Sequence, residues 1–112
     1  MLLVIGGIAS GKRSFVRSRG FEDRQMSSRL SSGAPVLLDL DELLREGPIE
    51  GPAWDEVLSK QVIVCCEVGM GVVPIDAGER AWRERVGRTC ARLAAASDEV
   101  VRMVCGIPVK LK

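Results

Sequence analysis

The sequence predicts an α/β domain with a mostly parallel sheet flanked by helices. Three observations carry that expectation. Short apolar runs at residues 1–5, 36–40, 62–66 and 100–105 alternate with stretches of helical character. The first run ends in Gly6-Gly7 and passes directly into a helix-forming segment. The chain has 112 residues, 46% of them hydrophobic, which suits one domain over residues 1–112 with a core of its own.

The elements follow in order. Residues 1–5 read as a buried strand and residues 10–18 as a helix with Phe15 and Val16 inward, ended by Gly20. Residues 22–33 are polar and read as a loop or short helix. Pro35 opens a second strand, Val36-Leu37-Leu38-Asp39-Leu40, and residues 41–45 continue as a helical turn. Gly47-Pro48 and Gly51-Pro52 mark a surface loop before a short helix at residues 54–60. Val62-Ile63-Val64-Cys65-Cys66 is a third strand, leading into a loop with Gly69, Gly71 and Pro74. Asp76 and Glu79 have the spacing of a capping box for a helix at residues 77–97. Trp82, Val86, Cys90, Leu93 and Ser97 form its inner face, while Arg85, Arg88 and Arg92 share another. Residues 100–105 are a fourth strand, and residues 109–112 read either as a fifth or as a terminal extension.

Composition excludes several classes. Mean hydropathy is +0.14, against disorder. Sixteen Lys and Arg face fifteen Asp and Glu, a net charge of +1, so nothing global points to nucleic acid or an anionic membrane. No apolar run approaches the roughly 18 residues of a membrane span. The four cysteines, Cys65, Cys66, Cys90 and Cys105, form no C-x-x-C pair, and the chain has no histidine. Without a secretory signal, buried reduced thiols in a cytoplasmic protein are expected rather than a zinc site or a disulfide framework.

The loop after the first strand carries the chemistry. Gly6-Gly7-Ile8-Ala9-Ser10-Gly11-Lys12 satisfies G-x-x-x-x-G-K, the pattern of a P-loop. Its glycines turn successive backbone N–H groups inward as an anion nest, the following helix adds its positive end, and Lys12 reaches the outer phosphates. Residues 6–14 are therefore the expected nucleotide contacts, for ATP or GTP. The position after Lys12, where a hydroxyl would hold Mg2+, is Arg13, with Ser14 one place on. One helical residue rotates a side chain by roughly 100°, so Ser14 replaces that hydroxyl only if the turn shifts. A strand-end carboxylate is the other expected requirement. Asp39 is the candidate for metal or substrate-hydroxyl contact; Asp39 and Asp41 equally suit polar punctuation at a strand end.

The second half resembles one family. Cys66-Glu67-Val68-Gly69-Met70-Gly71-Val72-Val73-Pro74 is similar to the N-E-V-G-x-G-I-V-P stretch of adenosylcobinamide kinase/adenosylcobinamide-phosphate guanylyltransferase. Gly87-Arg88-Thr89-Cys90-Ala91-Arg92-Leu93-Ala94 resembles its G-R-x-N-Q-x-L-A helix, Ser97-Asp98-Glu99-Val100 its A-D-E-V, and Gly106-Ile107-Pro108-Val109-Lys110-Leu111-Lys112 its G-I-x-x-K-x-K ending. Residues 6–12 match its G-G-x-x-S-G-K-S loop, and the middle of the chain matches poorly. The resemblance implies a RecA-like P-loop fold, a trimer, phosphorylation of the aminopropanol hydroxyl of adenosylcobinamide, and transfer of GMP to that phosphate. It places Glu67 and the loop to Pro74 near the active site, where Lys12 and Asp39 would support phosphoryl transfer, and gives Arg88 and Arg92 a phosphate-binding or subunit-contact role, beside the alternative of solvated helix charges.

The departures matter as much. Cys66 and Cys90 stand where the family has asparagine, and a thiol lacks the paired donor and acceptor of an amide. The family's guanylyl transfer passes through a histidine; here Ser32 or Gly33 falls at that place. A kinase retaining only the first step is expected, with an inactive nucleotide- or corrinoid-binding relative as the alternative. An unrelated small P-loop kinase is disfavoured by the C-terminal motifs.

Overall fold

The first apolar run forms β1, Leu2–Gly6, in a computed structural model that describes residues 1–69 and 73–112. Helix α1 follows at Lys12–Ser18, then β2 at Met26–Ser27, β3 at Val36–Leu37, α2 at Leu40–Leu43 and α3 at Pro52–Leu58. The second half contributes β4 at Val62–Cys66, α4 at Ala77–Ala96, β5 at Glu99–Val104 and β6 at Ile107–Lys110. Single 3-10 turns at Asp23–Gln25, Leu30–Ser32 and Leu44–Glu46 fill the connections.

The six strands form one sheet in the order β2-β3-β4-β1-β5-β6. All neighbours are parallel except β5 and β6, which pair as an antiparallel hairpin. In register, Gly6 lies opposite Cys66 on β4 and Met103 on β5, while Leu37 on β3 lies opposite Ile63. The carboxyl ends of β1, β3 and β4 therefore open on one edge. The chain leaves β1 toward the β2 side, whereas β4 returns through α4 to β5 on the other side of β1. Such a reversal leaves a crevice at the strand ends, where α/β sheets hold their ligands.

Both faces of the sheet are covered, which explains the near-continuous apolar strands. Leu3, Ile63, Cys65 and Val100 point to one face, against Leu40 and Leu44, Val57 of α3, and Trp82, Val86 and Leu93 of α4. Leu2, Val4, Val62, Val64, Val101 and Met103 point to the other, packed on Val16 of α1 with Phe15 and Phe21. The expected inner face of α4 is there, with Thr89 buried beside it and Cys90 half-buried. No helix among the described residues is long and apolar enough to cross a membrane.

Three local readings differ from the structure. The run 36–40 is only two residues of strand, because Asp39 takes a left-handed backbone, φ 53°, that turns Leu40 into α2. The polar segment 22–33 contains an edge strand, β2, whose two residues pair with β3. Asp76 accepts the Glu79 N–H at 2.9 Å, but the Glu79 carboxylate takes Arg45 instead of closing the capping box. Of the two readings of the C-terminal segment the strand holds, at Ile107–Lys110, and it runs antiparallel. All four cysteines are unpaired thiols; Cys65 is buried, but Cys105, in the hairpin turn, is exposed.

Candidate functional site

Residues 7–11 leave β1 in a tight path fixed by contacts beneath it. A Cβ on Gly6 would lie 2.5 Å from Ser10 Oγ and 2.9 Å from the Met103 carbonyl oxygen, so only glycine fits. Gly11, at φ 94°, closes the loop where a Cβ would meet Gly106 Cα at 3.1 Å. Ala9 also has positive φ, 55°, a strained conformation for a residue with a side chain. The Gly106 N–H donates to the Ser10 carbonyl at 3.0 Å and ties the loop to the β5–β6 turn. Ser10 Oγ is buried without a hydrogen-bond partner among the described residues.

Lys12 folds back across this loop. Its Nζ donates to the Gly7 carbonyl oxygen at 2.5 Å and lies 3.7 Å from Cys66 Sγ. Burial pushes the Cys66 thiol up, opposed by the charge on Lys12. A cavity of about 460 Å³ lies over the loop, lined by Ala9 to Ser14, Leu38, Asp39 and Val64. A second, of about 550 Å³, shares Lys12 and Asp39 and extends over Ile8, Asp41, Cys66, Glu67 and Trp82. A third, of about 350 Å³, lies beyond Arg13 and Asp39 against Asp23, Ser27 and Ser28. Lys12, Asp39 and Glu67 thus meet around one space, and Arg13, Ser14 and Asp39 share the adjoining one. Gly6 lies buried under the loop, whereas Gly7 and Ile8 are exposed on it.

The two carboxylates differ. Asp39 is exposed, and its carboxylate has no hydrogen bond among the described residues. Glu67 follows β4, donates its N–H to the Gly6 carbonyl at 2.8 Å, and is only 19% exposed in its side chain. Its carboxylate receives Arg102 Nε at 2.8 Å and Nη2 at 3.2 Å, a two-pronged pair that raises the guanidinium pKa. Glu67 is therefore a fixed charged wall of the cavity, oriented from β5.

Two residues outside the sequence-based assignment shape the site. Asp41 is buried; its Oδ1 accepts the Cys66 N–H at 3.0 Å and its carbonyl accepts Trp82 Nε1 at 2.7 Å. It joins α2, β4 and α4 at the cavity floor. Arg102 is the other, legible only as a charge inside the apolar run 100–105. Arg88 pairs with Glu84 at 2.6 Å, Arg92 stacks on Trp54 at 4.0 Å, and Arg85 donates to the Leu44 carbonyl at 2.7 Å. None of these three borders the cavities over the loop. Met70, Gly71 and Val72, within the glycine-rich stretch after Glu67, lie outside the described residues.

Comparison with known proteins bears on the second half of this arrangement. The family described as cobinamide kinase / cobinamide phosphate guanyltransferase matches residues 51–111, which include Glu67 and Arg102 but not the loop or Asp39. The bifunctional adenosylcobalamin biosynthesis protein CobU of Salmonella typhimurium is 52% identical over 54 residues, 48% of this chain and 30% of that protein. Its Escherichia coli counterpart is 48% identical over 54 residues, with the same coverage of 48% and 30%. The match thus spans less than a third of either relative. The family match covers more than half of this chain, residues 51–111 of 112, and the chain belongs to the cobinamide kinase / cobinamide phosphate guanyltransferase family.

Proposed function

We propose that this chain acts in cobalamin biosynthesis, binding ATP or GTP over residues 6–14 and phosphorylating the alcohol of an adenosylcobinamide-type corrinoid. The observation that carries the reading is the meeting of Lys12, Asp39 and Glu67 around one cavity at the carboxyl ends of parallel strands. Phosphoryl transfer asks little of a protein beyond positioning and charge neutralisation. Lys12 exchanges the Gly7 carbonyl for the outer phosphates. The substrate hydroxyl oxygen attacks the terminal phosphorus, the bond to the bridging oxygen breaks, and the nucleoside diphosphate leaves. Asp39, exposed and unpaired among the described residues, takes up the hydroxyl proton. Glu67, held by Arg102, and Asp41, held on the Cys66 amide, fix the wall against which the alcohol rests.

Ser14 and Asp39 are the oxygen donors that Mg2+ would use, and magnesium is the cation expected of this chemistry. They share their cavity with the Arg13 guanidinium, which a dication would have to approach. The donor set does not fit, and no step above runs through the metal.

Guanylyl transfer by way of a histidine is outside this reading, because the sequence has none. The corresponding assembly is a homo-oligomer, a trimer by resemblance. Exposed Val104, Ile107, Val109 and Leu111 on the outer hairpin support association. Nucleotide binding without turnover is the second reading, favoured by Arg13 and by the engagement of Glu67 with Arg102.

The test is purified protein with adenosylcobinamide and either nucleotide. Adenosylcobinamide phosphate, formed by the wild type and lost in Lys12→Ala, is expected. Binding of nucleotide with no product would leave only the second reading.

A further inference from the structure

Resting on the nucleotide reading above, we propose that the Arg13 guanidinium takes the place of the divalent cation beside the phosphates, so that this chain binds nucleotide without magnesium. Arg13 directly follows Lys12 and lines both the 460 Å³ cavity over the loop and the 350 Å³ cavity beside it. Leu38 and Asp39 form the wall common to the two. Arg13 therefore stands at the boundary between the two cavities, with its charge felt by Asp23 in the second.

Arg13 is exposed, and its side chain makes no hydrogen bond or ion pair among the described residues. The neighbouring guanidinium groups are engaged: Arg17 on Asp23 at 2.7 Å, and Arg19 on Glu99 through both of its terminal nitrogens. Asp39, on the same wall, is the carboxylate left without a partner. Arg13 and Asp39 thus line the same space, and the nearby Asp23, which Arg13 also feels, is already held by Arg17.

The chemistry decides what that pair does. A divalent cation at a phosphate site neutralises the β- and γ-oxygens and bridges them to a protein carboxylate. A planar guanidinium has the same reach: five donors, a permanent charge, and a fork that grips phosphate oxygens in pairs. With one edge on the phosphates and another toward Asp39, Arg13 repeats the bridge. Its charge also repels the ion it replaces. Two adjacent cations, Lys12 and Arg13, supply neutralisation that a lysine alone leaves to the metal.

Equilibrium binding of fluorescent ATP and GTP analogues, in EDTA and in millimolar Mg2+, tests this without reference to turnover. Wild-type affinity is expected to agree between the two conditions within about threefold. Arg13→Ser is expected to bind about tenfold more weakly in EDTA and to recover when Mg2+ is added. Arg24→Ser, which removes a charge outside these cavities, controls for net charge. Circular dichroism checks that each variant is folded. Wild-type binding that demands Mg2+, or an Arg13→Ser variant that loses nothing in EDTA, overturns this inference and leaves the nucleotide reading standing. No binding by any protein in either condition overturns both.

Discussion

Gly6 shows how one residue fixes the site. Its missing Cβ leaves room for Ser10 Oγ and the Met103 carbonyl, at 2.5 and 2.9 Å from where that carbon would be. Gly6→Ala must displace backbone on β5, so a loss of about 1–3 kcal/mol is expected in urea unfolding, together with weaker nucleotide binding. Asp41 works through a single hydrogen bond to Cys66. Asp41→Ala leaves that half-buried N–H unpaired and should cost about 1–3 kcal/mol by the same assay, whereas Asp41→Asn, which keeps an acceptor, should cost less. The spacing of glycines and Lys12 made the loop legible from the sequence. The role of Asp41 was not, since a carboxylate two residues after Asp39 looks the same whether it caps a turn or reaches another strand. The bond between Arg102 and Glu67 spans 35 residues of sequence, and no local pattern announces a partner at that distance.

At the level of elements, α4 holds the second half together. Trp82, Val86 and Leu93 bury one stripe of it against β1, β4 and β5, and its period of three to four residues was readable before any coordinates. Leu93→Ala, at a fully buried site, is expected to destabilise by about 2–5 kcal/mol in denaturant unfolding. The shape of β3 was less readable. Apolar Leu38 and Leu40 suggest a longer strand, yet the left-handed Asp39 breaks it, and only the surrounding packing decides that a buried leucine belongs to a helix. Ion pairs tie the ends of the elements. The Met1 amino group beside Asp98 and the Arg19 guanidinium beside Glu99 hold both carboxyl groups below their ordinary range, and Arg17 does the same for Asp23. Depressed carboxyl pKa values stabilise the fold above the unfolded pKa of about 4. That contribution disappears as pH falls from about 4 through the lower folded values. Acid titration of wild type against Glu99→Gln should show the variant less sensitive in that window; these groups are exposed, so the difference is small.

The whole molecule gathers the ends of β1, β3 and β4 into one edge, and the candidate site is a consequence of that strand order. The alternation of apolar runs with helices foretold a parallel sheet with residues 6–14 at its edge. It did not foretell β2, whose two polar-flanked residues carry too little pattern, or the direction of β6, which depends on a tight turn at Cys105 and Gly106. The family match rests on residues 51–111, whereas Lys12 and Asp39 come from outside it, so the proposed function requires the two halves to form one nucleotide site. An amide nitrogen–proton NMR titration of the 112-residue chain with ATP and GTP shows directly whether they do. The expected result is that amides of residues 7–14 shift together with those of Asp39, Cys66 and Glu67, while β6 stays unchanged. Shifts confined to the β5–β6 hairpin, or none at millimolar nucleotide, would contradict it.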